Sequence, residues 1–187
     1  AENQACIIDR AAFGAAMASR AQGKGAEYIL NCPVWDIGVG DRGVKVEAAR
    51  QGEASSLEAR AAVIATGFGS RLTQGWGKAG DFVMGTQAEV ETAGVTELEV
   101  YFGQDIAPGF FAWLVPTSSN RALVGLLSRR SPGLYLEKLM LELQARGKIA
   151  SAEVEPSYGG IPLKPLPRTY RERLIVVGDA AGQVKPT

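Results

Sequence analysis

Apolar and polar positions change their period several times along the chain, and each change marks an element. Ala5-Cys6-Ile7-Ile8 is a short apolar run, the pattern of a buried strand. Asp9 follows it and can cap a helix over Ala11–Gly23, where Phe13, Met17 and the alanines form the apolar face. Gly23 and Gly25 end that helix. Segments 27–38, 43–49 and 57–65 alternate loosely between apolar and polar residues. Gly40-Asp41-Arg42-Gly43 and the polar stretch 50–56 separate them, so the three read as an antiparallel meander. The meander delivers Ala61 to Gly67, a second buried strand that ends in small residues.

A glycine-rich connection occupies 68–80, and from Phe82 the texture changes. Met84–Thr92, Glu97–Gly103, Phe110–Val115 and Ala122–Ser128 are strand-like runs, spaced as in one large antiparallel sheet. Ser131-Pro132 opens a helix with the apolar stripe Leu134, Leu136, Leu139, Met140 and Leu143, ended near Gly147. Residues 153–164 return as strand and loop with Gly159-Gly160, and Arg173–Gly178 is a last β-branched run.

This order predicts an α/β (α+β) chain with a discontinuous first domain. Residues 1–80 and 165–187 form a partial dinucleotide-binding, Rossmann-like domain with a β-meander. Residues 81–164 form an inserted antiparallel β-sheet domain with one helix. The Gly-x-Gly-x-x-Gly turn that opens such a domain after a first strand is absent from the chain. The chain therefore reads as an internal piece of a longer protein. A sheet that lacks its first strand exposes an edge and an apolar face, and self-association through that edge is expected.

Composition narrows the chemistry. With 187 residues, 20 basic and 20 acidic side chains and a formal charge of zero, no electrostatic grip on nucleic acid is expected. No apolar run reaches membrane-span length, no secretory signal opens the chain and no basic amphipathic segment is present. Cys6 and Cys32 lack metal-ligand spacing and read as reduced thiols of a cytoplasmic protein. There is no histidine, which excludes a Ser-His-Asp triad, a Cys-His dyad and histidine metal sites. No metal site is expected, and the hard chemistry falls to carboxylates, hydroxyls, backbone dipoles or a bound cofactor.

Four motifs carry candidate chemistry. Gly178-Asp179-Ala180-Ala181-Gly182 follows the last buried strand. Asp179 can accept hydrogen bonds from sugar or ribityl hydroxyls, and the small residues let backbone approach a pyrophosphate, or the stretch is a plain turn with a capping Asp. Ala65-Thr66-Gly67-Phe68-Gly69-Ser70-Arg71 brings backbone close to a planar ring or ribose, or is a sheet-exit loop in which Ser70 and Arg71 cap a local turn. Arg10 stands at a helix start, where the dipole disfavours a cation; an anionic ligand explains it, as does an ion pair with Asp9 or Glu27. Phe111 and Trp113, two residues apart on a strand, share a face that walls an apolar channel or belongs to an ordinary core.

These four pieces, in this order, resemble the FAD-dependent geranylgeranyl reductase family of the aromatic-hydroxylase-like flavoproteins. Ile7-Ile8-Asp9-Arg10-Ala11-Ala12-Phe13 resembles that family's Val-Asp-Arg-x-x-Phe segment, whose arginine contacts FAD. Residues 65–72 are similar to its Ala-Asp-Gly-x-x-Ser-x-Leu turn, with Thr66 where Asp is common. Residues 109–116 resemble its Gly-x-Tyr-x-Trp-x-Phe-Pro substrate motif: Trp113 and Pro116 match, Phe111 replaces Tyr and Val115 replaces Phe. Residues 176–187 are the most specific match.

The resemblance implies a cofactor set of Arg10, Ala65, Thr66, Gly67, Gly178, Asp179, Ala180, Ala181, Gly182 and Pro186. In it Asp179 serves the ribityl chain, Ala180 to Gly182 the pyrophosphate and Pro186 the flavin ring. It implies a substrate set of Phe111, Trp113 and Pro116. The implied reaction is hydride addition from reduced FAD to an isoprenoid double bond, with NAD(P)H or ferredoxin as electron donor and a cytoplasmic location that can be peripheral to the membrane. The proton donor is unassigned; Cys32 and Tyr101 qualify by residue type only. Taken alone the chain is expected to hold FAD weakly or not at all. The alternatives are a flavoprotein monooxygenase or halogenase of the same superfamily, and a non-catalytic lipid- or partner-binding module without cofactor.

Overall fold

The computed structural model describes residues 7–77, 80–92 and 94–184. The expectations placed on Ala5-Cys6 and on Pro186 lie outside the described residues. Helix α1 (Arg10–Gln22) starts at Asp9, whose carboxylate accepts hydrogen bonds from the N–H of Ala11 at 2.9 Å and of Ala12 at 3.0 Å. Gly25, at φ 92°, turns the chain after it. Two expectations fail here. Ile7 and Ile8 form no strand and are exposed, and the apolar stripe of α1 is uncovered, with Phe13 and Met17 about half exposed. A strand needs a neighbour's backbone and a stripe needs a facing element. Among the described residues neither has one.

The meander comprises β1 (Val34–Gly40), β2 (Gly43–Arg50) and β3 (Glu53–Ala59), paired antiparallel in that order. Gln51 and Gly52 both take positive φ, 54° and 85°, the signature of a two-residue turn whose twist matches its strands. The third strand is thus 53–59 rather than 57–65, and 27–33 carry no strand. The polar stretch hid it: Glu53 to Ser56 lie mostly exposed on an open sheet, so no apolar residue marks the strand. The chain then leaves the meander, and β4 (Ala62–Ile64) enters a different sheet.

There β4 pairs in parallel with β11 (Leu174–Val176), which pairs antiparallel with β10 (Tyr170–Arg171). Ile64, Leu174 and Val176 face the meander and close a core with Val44, Trp76, Ala180 and Ala181. The opposite row, Tyr170, Ile175 and Val63, is exposed. Among the described residues the outer edge of β4 is unpaired.

The large antiparallel sheet forms as expected, from β5 (Phe82–Glu91), β6 (Glu99–Phe102), β7 (Phe111–Pro116), β8 (Arg121–Ser128) and β9 (Ser157–Pro162), in the order β6-β7-β8-β5-β9. Helix α2 (Pro132–Ala145) covers one face. Its Leu136, Leu139, Met140 and Leu143 are buried against Ala112, Leu114, Val124 and Leu126, each large side chain stabilising by about 1.5–3 kcal/mol. Leu134 is exposed, against expectation: it stands about 200° around the helix from Leu136.

The other face of this sheet is open and carries the Trp113 ring laid on Gly125. A Cβ on Gly125 would run into the indole of Trp113 there; on the α2 side of the sheet a Cβ on Gly160 would run into the ring of Phe68. Phe68, from the turn after β4, stacks tilted on Phe82 at 5.4 Å and so joins the two sheets. Gly160→Ala is therefore expected to lower stability in urea unfolding by about 1–3 kcal/mol. Gly159→Ala, whose Cβ meets nothing within 4 Å, should stay within about 0.5 kcal/mol of the native protein. Equal effects would show that Phe68 does not depend on the Gly160 surface.

Candidate functional site

Parallel pairing makes β4 and β11 end side by side, and Val177 N–H continues the ladder to the Ile64 carbonyl at 3.0 Å. The two sequence-singled turns therefore leave the sheet together. Gly67 (φ 76°), Gly69 (φ 78°) and Gly178 (φ 61°) take left-handed backbone, and a Cβ on any of them would meet open space. Ser70 caps the short turn that follows: its Oγ accepts from Leu72 N–H at 3.3 Å, and Thr73 Oγ1 donates to the Ser70 carbonyl at 2.8 Å. Gly178–Ala181 makes one 3-10 turn closed by Gly182 at φ 69°. Ala181 lies in the core beneath it, and its carbonyl accepts from Leu166 N–H at 2.8 Å.

Phe68, Ser70, Thr73, Lys164, Asp179, Ala180 and Gly182 converge on a cavity of about 230 Å³. Of the predicted cofactor residues it holds Asp179, Ala180 and Gly182. Ala65 and Thr66 are exposed outside it, Gly67 and Gly178 shape its backbone approaches, and Arg10 is elsewhere. Lys164 and Thr73 were not singled out from sequence. The one available signal for Lys164 was a lone cation in the proline-bounded loop Pro162-Leu163-Lys164-Pro165 that feeds the last strand.

A second cavity, about 390 Å³, opens on the free face of the large sheet. Its floor is Gly85, Gly159 and Gly160, its walls include Trp113, Leu127 and Ile161, and Arg10 adds a cation. Arg10 thus stands with Trp113 rather than with Asp179. Phe111 stacks tilted against Trp113 at 5.9 Å and extends the aromatic wall towards Phe102. Pro116 is not brought to this cavity: strand alternation gives it the parity of Ala112 and Leu114, on the side of α2. Phe68 lines the first cavity and its ring lies on the α2 side of Gly160, whose backbone lines the second cavity on the opposite face, so strand β9 at Gly160 stands between the two cavities.

Electrostatic clamps hold the surrounding segments. Arg129 makes a bidentate ion pair with Asp81, which lowers the Asp81 carboxyl below its usual range, and lies 5.9 Å from the Phe110 ring. Arg171 stacks on Trp76 at 4.3 Å and donates to the Gly75 carbonyl, pinning the loop beside the first cavity. Arg173 donates to the Asp41 carbonyl at 3.1 Å and so ties the meander to the last hairpin. On the α2 side, Glu99 accepts from Lys148 and Tyr101. The Lys148 bond, then the Tyr101 bond, lowers the Glu99 carboxyl, while burial, then Glu99, raises the Tyr101 phenol. Tyr101 is therefore engaged away from the Trp113 cavity, and Cys32, a free half-buried thiol, does not line it either. Among the described residues no three His, Cys, Asp or Glu are grouped to hold a metal, and no helix is long and apolar enough to cross a membrane.

Comparison with known proteins matches residues 2–156 to the family described as FAD dependent oxidoreductase. The digeranylgeranylglycerophospholipid reductase of Methanothrix thermoacetophila is 30% identical over 96% of this chain and 49% of its own length. Digeranylgeranylglycerophospholipid reductase 1 of Methanopyrus kandleri is 32% identical over 99% of this chain and 53% of its own. The chain spans about half the length of these curated relatives. Among solved structures, a geranylgeranyl bacteriochlorophyll reductase-like protein from Thermoplasma acidophilum superposes with a TM-score of 0.82 at 20% identity, over 99% of this chain and 52% of that one. A flavin-dependent halogenase superposes with a TM-score of 0.69 at 17% identity, over 93% of this chain and 35% of that one. These last two likenesses establish the fold.

The lowered Glu99 carboxyl fixes the sign of one pH effect. Its stabilisation is fully present above the ordinary carboxylate range and is lost as pH falls through the lowered folded value. The thermal midpoint should therefore fall between about pH 5 and pH 3, and Lys148→Met should flatten part of that fall. An unchanged acid limb in the variant would remove Lys148 as the cause.

Proposed function

We propose, from the premise that this chain belongs to the FAD-dependent oxidoreductase family, that the full-length protein reduces isoprenoid double bonds of a prenyl lipid. The observation that carries this reading is that a polar cavity holding Asp179, Ser70 and Lys164 and an apolar one holding Trp113 adjoin at Gly160 of β9: Phe68, which lines the first, lies on one side of Gly160, and the second opens on its other side.

The residues fit the cofactor. A carboxylate, a hydroxyl, an ammonium and the left-handed Gly69 facing open space suit a ligand that carries hydroxyls, phosphates and a planar ring. Asp179 would accept from ribityl hydroxyls, and Ala180 and Gly182 leave room for the diphosphate. When bound, FAD supplies the hydride. The chain's own part is to seat the alkene and keep it dry. Trp113 and Leu127 wall the slot, the glycine floor lets a chain lie flat, and Arg10 stands at the polar side.

In this reading segments 1–80 and 165–187 serve the cofactor and 81–164 serves the substrate, with NAD(P)H or ferredoxin as electron donor. A bilayer-resident substrate puts the enzyme at the cytoplasmic membrane surface. The halogenase neighbour supports a second reading, oxidation of an aromatic substrate with oxygen on the same fold.

Two measurements test this. Full-length protein should reduce a geranylgeranyl lipid under anaerobic conditions with a chemical reductant. Turnover of phenols that needs oxygen, with no alkene reduction, would establish the second reading instead. Asp179→Ala should weaken FAD binding about tenfold or more, seen by flavin fluorescence, with unchanged circular dichroism. The unpaired β4 edge predicts that this chain self-associates. A monomer by light scattering at high concentration would count against it.

A further inference from the structure

The second cavity ends at Trp113, but the apolar surface that forms it continues. On the open face of the large sheet, residues of matching parity lie side by side across the strands. Gly159 of β9 faces Gly85 of β5, Gly85 faces Leu127 of β8, and Phe111 of β7 faces Phe102 of β6. Ala112 pairs with Leu126, so Phe111 stands next to Leu127. These residues form one row across the whole sheet, and none of them carries a polar side chain.

The two ends of the row differ. Towards β9 its floor is bare: a Cβ on Gly159 would meet nothing within 4 Å, and one on Gly85 would touch Leu127 at 3.3 Å. Gln87 of β5 and Ser157 of β9 bring polar side chains to that end. Towards β6 the floor becomes aromatic. Phe111 and Phe102 stack tilted at 6.3 Å, and Phe102 is 72% exposed. Val100, opposite Trp113, is exposed beside it. An exposed apolar patch that runs on from a cavity has the character of a ligand groove.

The width of the sheet selects the ligand. Four strand steps separate β9 from β6, roughly 19 Å across the sheet. That is close to the extended length of a geranylgeranyl chain. A strip without donors or acceptors suits such a chain and disfavours a polar one.

We propose that this row is a chain-length subsite. The tail of the prenyl substrate crosses the strands from Gly159 to Phe102, the polar end of the lipid stays near Gln87 and Ser157, and Phe102 grips the far isoprene unit. The inference deepens the proposed function and rests on its reading of the substrate cavity.

The test uses full-length protein as purified, without reductant, so that binding is read apart from turnover. Geraniol, farnesol and geranylgeraniol are titrated and followed by quenching of tryptophan fluorescence. Affinity should rise about tenfold from farnesol to geranylgeraniol. Phe102→Ser should cut that step to about twofold and leave geraniol binding unchanged, and Phe102→Leu should keep the step. Leu134→Ser, which alters an exposed apolar residue on α2, should change nothing. Melting curves of all three variants should match wild type.

Wild type without the step, or a Phe102→Ser protein that keeps it, overturns the subsite. A lower melting midpoint for Phe102→Ser with the step intact assigns Phe102 to packing under another segment of the full-length protein, and overturns the subsite as well. So does an equal loss of the step in Leu134→Ser. Added reductant separates the two claims: length-dependent binding with no alkene reduction sinks the proposed function and leaves the subsite standing.

Discussion

The parallel pairing of β4 with β11 is the constraint on which the rest of this structure depends. Parallel neighbours cannot be joined by a hairpin; the chain must cross over between them. Here the crossover carries the whole five-stranded sheet and α2. Three register pairs, Ala62 to Leu174, Val63 to Ile175 and Ile64 to Val176, therefore bring together turns that are remote in sequence. The Ala65–Ser70 turn and the Gly178–Gly182 turn acquire a common cavity because their strands end at the same level. The same crossover returns the large sheet so that Phe68 packs on Gly160 and Phe82.

Glycine makes those layers close. At Gly125 the missing side chain lets Trp113 lie flat on the sheet, and at Gly160 it lets Phe68 do so. At Gly80 and Gly182 it makes room for the Lys164 loop. The rings and the lysine stem fill the volumes that side chains would take, and packing of this kind tolerates little added volume. The composition of the site follows: apolar rings where the sheet is open, and carboxylate, hydroxyl and ammonium groups where the two turns meet.

Sequence periodicity exposed the parts of the fold whose elements see one face of a core. The large sheet's strands are strand-like runs spaced by turn residues, and α2 repeats Leu136, Leu139, Met140 and Leu143 at helical spacing, so both were legible. The strand β3 was not, because its serines and glutamates lie on an open surface where burial imposes no pattern. Ile7, Ile8, Phe13 and Met17 misled in the opposite sense: they are apolar, yet nothing described covers them.

By itself the sequence determined the residue types of the site and their local settings. Asp179 after a β-branched strand, Trp113 two residues from Phe111 and the absence of histidine were all read from the sequence alone. The tertiary structure decided the partnerships. It put Arg10 with Trp113 instead of Asp179, sent Pro116 to the α2 side, engaged Tyr101 with Glu99 and brought Lys164 into the cavity. The physical reason is that local periodicity fixes which face of its own element a side chain takes. Which element lies opposite depends on strand pairing between distant segments, and on glycines that let backbone and rings approach within van der Waals contact.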